Sequence, residues 1–359
     1  MAYYDQIYAR LGVALVAGLS LFSSLIVDAT EAAIPCWLQS PMQPPAMGQI
    51  GISRSIALGK LNASDISKMR ALEALCHSEG VVCKEDELTL ALERNQLFNR
   101  TLYFDSFQNE GNLYTYAGFS ATNHELCKPV KCSISDCDPA WLCAPSTASN
   151  IGMLGISYRA TSAKDQYNAA VENALLQAEY LYGVEISATK SLRLNSSSLG
   201  DVRILDETGS VNSGQREIIP YRLVHQCKNQ STLFTLIELD SAPESDVVNA
   251  KNTSWLKNPK QHNIDGAVGA VERMMASGLV SDQMKLAIER AAIQLAYEKN
   301  SQIKEQLVKV EFGSGGMIYV SQINEATRVN LKARVMQIHF EQSDANGLKV
   351  YAWVAAVNE

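Results

Sequence analysis

The residues in this chain best suited to metal, redox or nucleophilic chemistry are eight cysteines and five histidines. The cysteines are Cys36, Cys76, Cys83, Cys127, Cys132, Cys137, Cys143 and Cys227, and four of them fall within residues 127–143 at C-x4-C-x4-C-x5-C spacing. Structural zinc sites favour tight cysteine pairs. The looser spacing and the even count point instead to disulfides in an exported chain, although eight cysteines leave about 105 possible pairings open. The histidines His77, His124, His225, His262 and His339 form neither H-x-x-x-H nor H-E-x-x-H, so structural or exposed roles are expected for them. There is no G-x-S-x-G elbow. Ser314, in GSGGM, would need a histidine and an acid brought to it, and a glycine turn is the simpler reading. No catalytic, metal or cofactor-binding residue is expected from these patterns.

Glycine pairs raise a further possibility, phosphate binding, but none carries the Lys-Ser/Thr of a P-loop. They belong to a longer phrase, W-L-x-x-P-x6-G-x-x-G, which occurs three times with identical internal spacing. The copies place Trp37, Pro41, Gly48 and Gly51; Trp141, Pro145, Gly152 and Gly155; and Trp255, Pro259, Gly266 and Gly269. The chain has four tryptophans, and three of them open a copy. The copies start 104 and 114 residues apart, too far for a solenoid repeat and suited to one small domain each. What recurs is Trp, Leu, Pro, Gly and Ala, with no recurring polar group, which argues for packing over catalysis.

The elements that follow each phrase repeat as well. Residues 164–183 and 281–300 read as helices with Ala170, Ala174 and Ala178, or Ala287, Ala291 and Leu295, on one face, and residues 62–81 supply the first copy's helix. Small residues on that face let a helix lie close to a sheet. Each copy ends on an aromatic hairpin: RTLYFDSF with NLYTYAGFS, IIPYRLVHQ with STLFTLIELD, and LKARVMQIHFEQ with LKVYAWVAAV. The expected fold class is α+β, as three tandem small domains, each with one main helix packed on an antiparallel sheet. The expected boundaries are 36–120, 141–240 and 255–357, with a Cys-rich linker at 121–140 and a polar linker at 241–254.

Residues 1–33 stand apart. One arginine precedes 17 uncharged residues and then small residues, the order of a secretory signal cleaved after Ala29 or Ala32. An uncleaved anchor is the competing reading. The net charge of −7, with no Lys/Arg cluster in the sequence, argues against a nucleic-acid partner.

The phrase, the Ala-rich helix ending in Gly-Val and the Tyr-rich final hairpin together resemble the exported lipoproteins of the flagellar sheath and outer membrane, a family that includes basal-disk proteins. The resemblance covers most of residues 36–357. It implies a dodecin-like domain, one helix wrapped by a three-stranded sheet, in each copy. It also implies a non-enzymatic structural or assembly role in the bacterial envelope, linked to the flagellum. Partners would be further copies or other envelope and flagellar ring proteins, with location in the periplasm and possible proximity to the outer membrane. This chain differs from the family in lacking a lipobox before Cys36, in its eight cysteines, and in replacing Ile-Ser by Ala270-Val271 in the third copy. The alternative expectation is a periplasmic module that holds a peptide, glycan or small ligand between units, with aromatic strands lining the groove.

Overall fold

Each copy of the phrase opens the same succession of elements in the computed structural model. The structure describes residues 32–56, 61–146, 150–197, 200–213, 219–239, 252–261, 264–299, 302–311, 317–343 and 347–357. Residues 1–31, expected to hold a secretory signal, Ser314 with its glycines, and most of the 241–254 stretch expected as a linker lie outside the described residues.

The first segment runs β1 (Ile34–Pro35), the one-turn helix α1 (Cys36–Gln39), β2 (Gly48–Arg54), α2 (Ala63–Ser78), α3 (Glu85–Arg94), β3 (Gln96–Leu97), β4 (Arg100–Thr101), β5 (Tyr103–Asn109), β6 (Asn112–Gly118) and β7 (Leu126–Cys127). The second begins with a 3-10 turn at Ala140–Leu142. It continues through β8 (Ile151–Ser157), α4 (Ala163–Tyr182), β9 (Val184–Ser197), β10 (Gly200–Ser213), β11 (Arg222–Asn229) and β12 (Thr232–Leu239). The third repeats the 3-10 turn at Ser254–Leu256. After it come β13 (Gly266–Val271), α5 (Val280–Lys299), β14 (Gln302–Glu311), β15 (Met317–Leu331), β16 (Ala333–Ser343) and β17 (Gly347–Ala356).

The result is a mixed α+β fold with small antiparallel sheets and five α-helices among the described residues. Three of the sheets share one plan. The strand bearing the glycines is an edge, the second strand of the terminal hairpin is central, and the first strand of that hairpin is the other edge: β2-β6-β5, β8-β12-β11 and β13-β17-β16. Each such sheet with its helix is termed a module below.

Local sequence explains the helix ends. The Asn62 side chain accepts from the Asp65 N–H at 2.8 Å to start α2, and Ser162 does the same for Asp165 at 3.1 Å to start α4, each satisfying an otherwise orphan donor. Gly183, at φ 112°, turns the chain out of α4 in a conformation that side chains disfavour.

Modules 2 and 3 depart from the expected pattern between helix and hairpin. The stretch around GVEISATKSLRL reads in sequence as a lone strand. It is instead one arm of a long hairpin, β9–β10, and β9 also pairs along most of its length with β15 of module 3. The four-stranded sheet β10-β9-β15-β14 therefore joins two modules. At its base Val184, Ile186 and Leu331 are buried, and Arg328 donates to Glu185 across the join at 2.6 Å. Strand β10 is rich in Asp, Glu, Ser and Gly, so its own composition does not announce a strand, and its pairing comes from neighbours. Among the described residues module 1 has no such long hairpin. Helix α3 occupies that place and packs Leu88 and Ala91 against Leu72 and Leu75 of α2.

Residues Ile34–Glu359 form one compact unit. Apolar clusters run across the modules: Ile50, Ile52, Tyr114 and Tyr116 of module 1 share a core with Tyr167, Val171 and Ile237 of module 2. Leu154, Ile156 and Phe234 of module 2 share another with Met284, Ile288 and Phe340 of module 3.

Candidate functional site

The repeated phrase folds as a clip at the start of each module. Its tryptophan sits on a single helical turn in every copy. In modules 1 and 3 the ring is buried and lies against an aromatic residue of the central strand. Trp37 meets Tyr116 with centroids 6.0 Å apart, and Trp255 stacks on Trp353 at 6.0 Å and 9°. Tyr116 and Trp353 hold the same register, opposite Ile50 and Val268. In module 2 that register position is Leu236, which offers no ring. Trp141 is half-buried and stacks on His225 of β11 at 6.2 Å and 15°.

The proline and first glycine close the clip. The Gly48 N–H donates to the Pro41 carbonyl at 3.1 Å, and the Trp353 indole N–H donates to the Pro259 carbonyl at 3.0 Å. In module 2 the Gly152 N–H donates instead to the Ser146 hydroxyl at 3.2 Å. A side chain at Gly152 or Gly266 would collide with the carbonyl of Pro145 or Pro259, and one at Gly48 with the Ala117 carbonyl and the Tyr116 ring.

The second glycine has one role in all copies. A Cβ at Gly51 would overlap the Ser67 carbonyl and Ala71 N–H of α2. At Gly155 it would overlap the Ala170 carbonyl of α4, and at Gly269 the Ala287 carbonyl and Ala291 N–H of α5. Helix backbone lies directly on strand backbone at these points, which also explains the alanines on the helix face. The glycine pairs thus face helix and strand backbone, and a phosphate loop is not what they build.

Polar groups do recur, contrary to the sequence expectation. Gln166 and Gln283 occupy equivalent first-turn positions and are buried. Each bridges two carbonyls with its amide, Ser157 and Ser231 in one case, Arg273 and Leu348 in the other. Arg70, Asn173 and Arg290, also equivalent, each hydrogen-bond the open edge of the glycine-bearing strand, at the Ile52 carbonyl, the Ile156 N–H and the Ala270 carbonyl. Edge strands need such cover. The sequence carried a signal for both sets, since Asp-Gln recurs at 165–166 and 282–283 and the Arg/Asn positions lie three residues after the close-contact position of each helix.

The clip of one module also holds the next. The Gln226 amide donates to the Leu38 carbonyl, and the Ser40 hydroxyl meets His225 Nδ1 at 2.8 Å. One module later, the Ile338 N–H donates to the Cys143 carbonyl at 2.9 Å. Burial lowers the pKa of His225 and of His339 below the ordinary value of 6.5. In module 1 the sheet position equivalent to His225 is Asp105. Its carboxylate accepts from Trp37 at 3.0 Å and from Thr122 at 2.9 Å, and lies 3.1 Å from His124. The module's own following loop therefore covers the place that a preceding clip covers elsewhere.

All eight cysteines are paired: Cys36–Cys127, Cys76–Cys83, Cys132–Cys227 and Cys137–Cys143. The stretch at 121–140, expected as a linker, is thereby fastened to both sides. Cys127 ties it to the first clip and Cys132 to β11 of module 2. Four disulfides fit an oxidising compartment outside the cytosol. Among the described residues no helix is long and apolar enough to cross a membrane. The remaining histidines are dispersed, with His77 stacked on Tyr221 at 6.4 Å and His339 beside Tyr351 at 6.1 Å. His262 lies outside the described residues. Comparison with protein-family models finds no match for this chain, and comparison with curated proteins finds none either.

Proposed function

We propose that this chain is an exported, non-enzymatic structural protein of the bacterial envelope, made of three dodecin-like modules and acting in the periplasm as a component of a larger assembly. The observation that carries the reading is the use of the phrase itself. Its most regular residues, Trp, Pro and Gly, are spent on closing each module, and the same clip then grips the following module. Disulfides suited to an oxidising compartment support export. The flagellar part of the proposal rests on the family resemblance of the phrase and hairpins. Self-association or docking on envelope ring proteins would be the partner mode.

The test is to purify the chain from an oxidising compartment, measure its mass by light scattering, image it by negative stain, and probe isolated flagellar basal bodies for it. Arcs, rings or co-purification with basal bodies are expected. A monomer at all concentrations that is absent from basal bodies would overturn the assembly role.

A further inference from the structure

The junction between modules 1 and 2 carries a feature that the repeat does not require. Two adjoining surface clefts, of about 710 and 360 Å³, share Arg54, Asn112 and Ser162 and together form one groove. Five cations line it, Arg54, Arg70, Arg159, Lys164 and Lys228, against two carboxylates, Glu110 and Asp165. The chain as a whole carries −7, so the groove opposes the average charge of its protein.

The carboxylates offset only part of this charge: the pKa of Asp165 is lowered by its bonds to Ser162 and Thr161 and also by the nearby charges of Lys164 and Arg54, and five cations face two carboxylates. Asp165 is turned to its own helix start, where it accepts from Ser162 at 2.7 Å and Thr161 at 3.0 Å. Arg54, Arg159, Lys164 and Lys228 make no ion pair within 4 Å among the described residues. By contrast Arg100, Lys260, Lys285, Arg328 and Lys349 are each paired with a glutamate elsewhere. Arg54 reaches only the Thr161 carbonyl, at 3.4 Å. Cations that outnumber the carboxylates along a cleft focus positive potential into it.

The position of Arg54 is not held by a cation in the other modules. Three residues after the second glycine stands Arg54 in module 1, Tyr158 in module 2 and Glu272 in module 3. Tyr158 lies across the second junction with its hydroxyl 3.4 Å from the Val280 N–H. The fold therefore tolerates a neutral or an acidic residue there.

We propose that this groove binds a chain-like polyanion, one presenting several phosphate or carboxylate groups along its length. Arginines supply forked donors for such oxyanions, and the neutral hydrogen-bonding groups of Asn112, Gln230 and Ser231 line the same walls. Length is implied because the cations span two joined clefts. This inference does not depend on the scaffold reading.

The experiment titrates the full chain with tripolyphosphate by calorimetry at low and high salt, and in parallel measures sedimentation with phosphatidylglycerol vesicles. Saturable binding that weakens as salt rises, and that falls at least tenfold in the triple variant Arg54→Ala, Arg159→Ala, Lys228→Ala, is expected. These three side chains are exposed, so the variant should keep its unfolding midpoint, and that is measured alongside. Tripolyphosphate binding without vesicle binding would support a soluble chain-like polyanion; vesicle binding that tripolyphosphate displaces would overturn the chain-like reading in favour of a lipid headgroup. Failure of both probes to bind at low salt, or wild-type affinity in a folded triple variant, would overturn the proposal.

Discussion

Substituting Gly269 by Ala should destabilise the protein by about 2–2.5 kcal/mol, a value that follows from what the new methyl would meet. Adding a methyl to a filled site costs about 1–3 kcal/mol when neighbouring side chains can yield. At Gly269 the obstacle is the carbonyl of Ala287 and the N–H of Ala291, both helix backbone. The helix must move as a body, so the cost belongs at the top of that range, about 3 kcal/mol. Loss of freedom in the unfolded chain returns about 0.4–1 kcal/mol. Equilibrium unfolding in denaturant, followed by tryptophan fluorescence, reads the difference, because the stacked Trp255 and Trp353 lie in the same module. A second variant separates backbone from side-chain obstruction. Ala287→Gly removes a methyl that is not the obstacle and costs about 1 kcal/mol as a helix glycine, so the double variant should be worse than either single one. A Gly269→Ala protein within about 0.5 kcal/mol of the parent, or a double variant more stable than Gly269→Ala alone, would refute the close-approach account.

The tryptophans should differ in worth. Trp255→Ala removes a fully buried ring and should cost about 3–5 kcal/mol, whereas Trp141→Ala, half-buried, should cost roughly half that, both read from unfolding midpoints. Disulfides should differ by loop length. Replacing the Cys132–Cys227 pair, 95 residues apart, by alanines should cost about 4–5 kcal/mol, and replacing Cys76–Cys83, 7 apart, about 2 kcal/mol. Stability should fall in mild acid. His225 and His339 have folded pKa values below the unfolded 6.5, so the unfolded chain binds protons first. Their contribution is complete above 6.5 and is lost as pH falls through 6.5 towards the lower folded value. Unfolding midpoints measured from neutral pH down to pH about 5 should show this, and His225→Gln should flatten part of the slope.

Much of the local plan was legible before the structure. The phrase marked where each clip begins, the Ala spacing placed α4 and α5, and the aromatic runs placed the terminal hairpins. These signals are short in range: a turn, a helix face, a strand pair. What escaped was set by distant partners. Strand β10 becomes a strand through β9, and β9 gains its second neighbour from β15, more than a hundred residues on. The recurring Gln166 and Gln283 were hidden because a buried, fully bonded glutamine and an exposed one look alike in sequence. Asp105, His225 and Gln337 share one sheet position opposite the motif strand's partner, yet their differing types hide the equivalence. The groove at the first junction gathers cations from four separate stretches, so no sequence cluster announces it.

The placement of the cysteines has a consequence for the order in which the molecule is made. A chain emerges and folds from its N-terminus, and every disulfide partner has appeared once Cys227 has passed. The covalent framework can then close while module 3 is still to come. Module 3 holds no cysteine, and it meets a template whose β9 edge and Cys143 carbonyl already stand where β15 and Ile338 must dock. The first two modules are thus cross-linked by oxidation, and the last is held by non-covalent contacts alone. Oxidant supply would govern the early part of maturation, and the fit of one late segment the remainder.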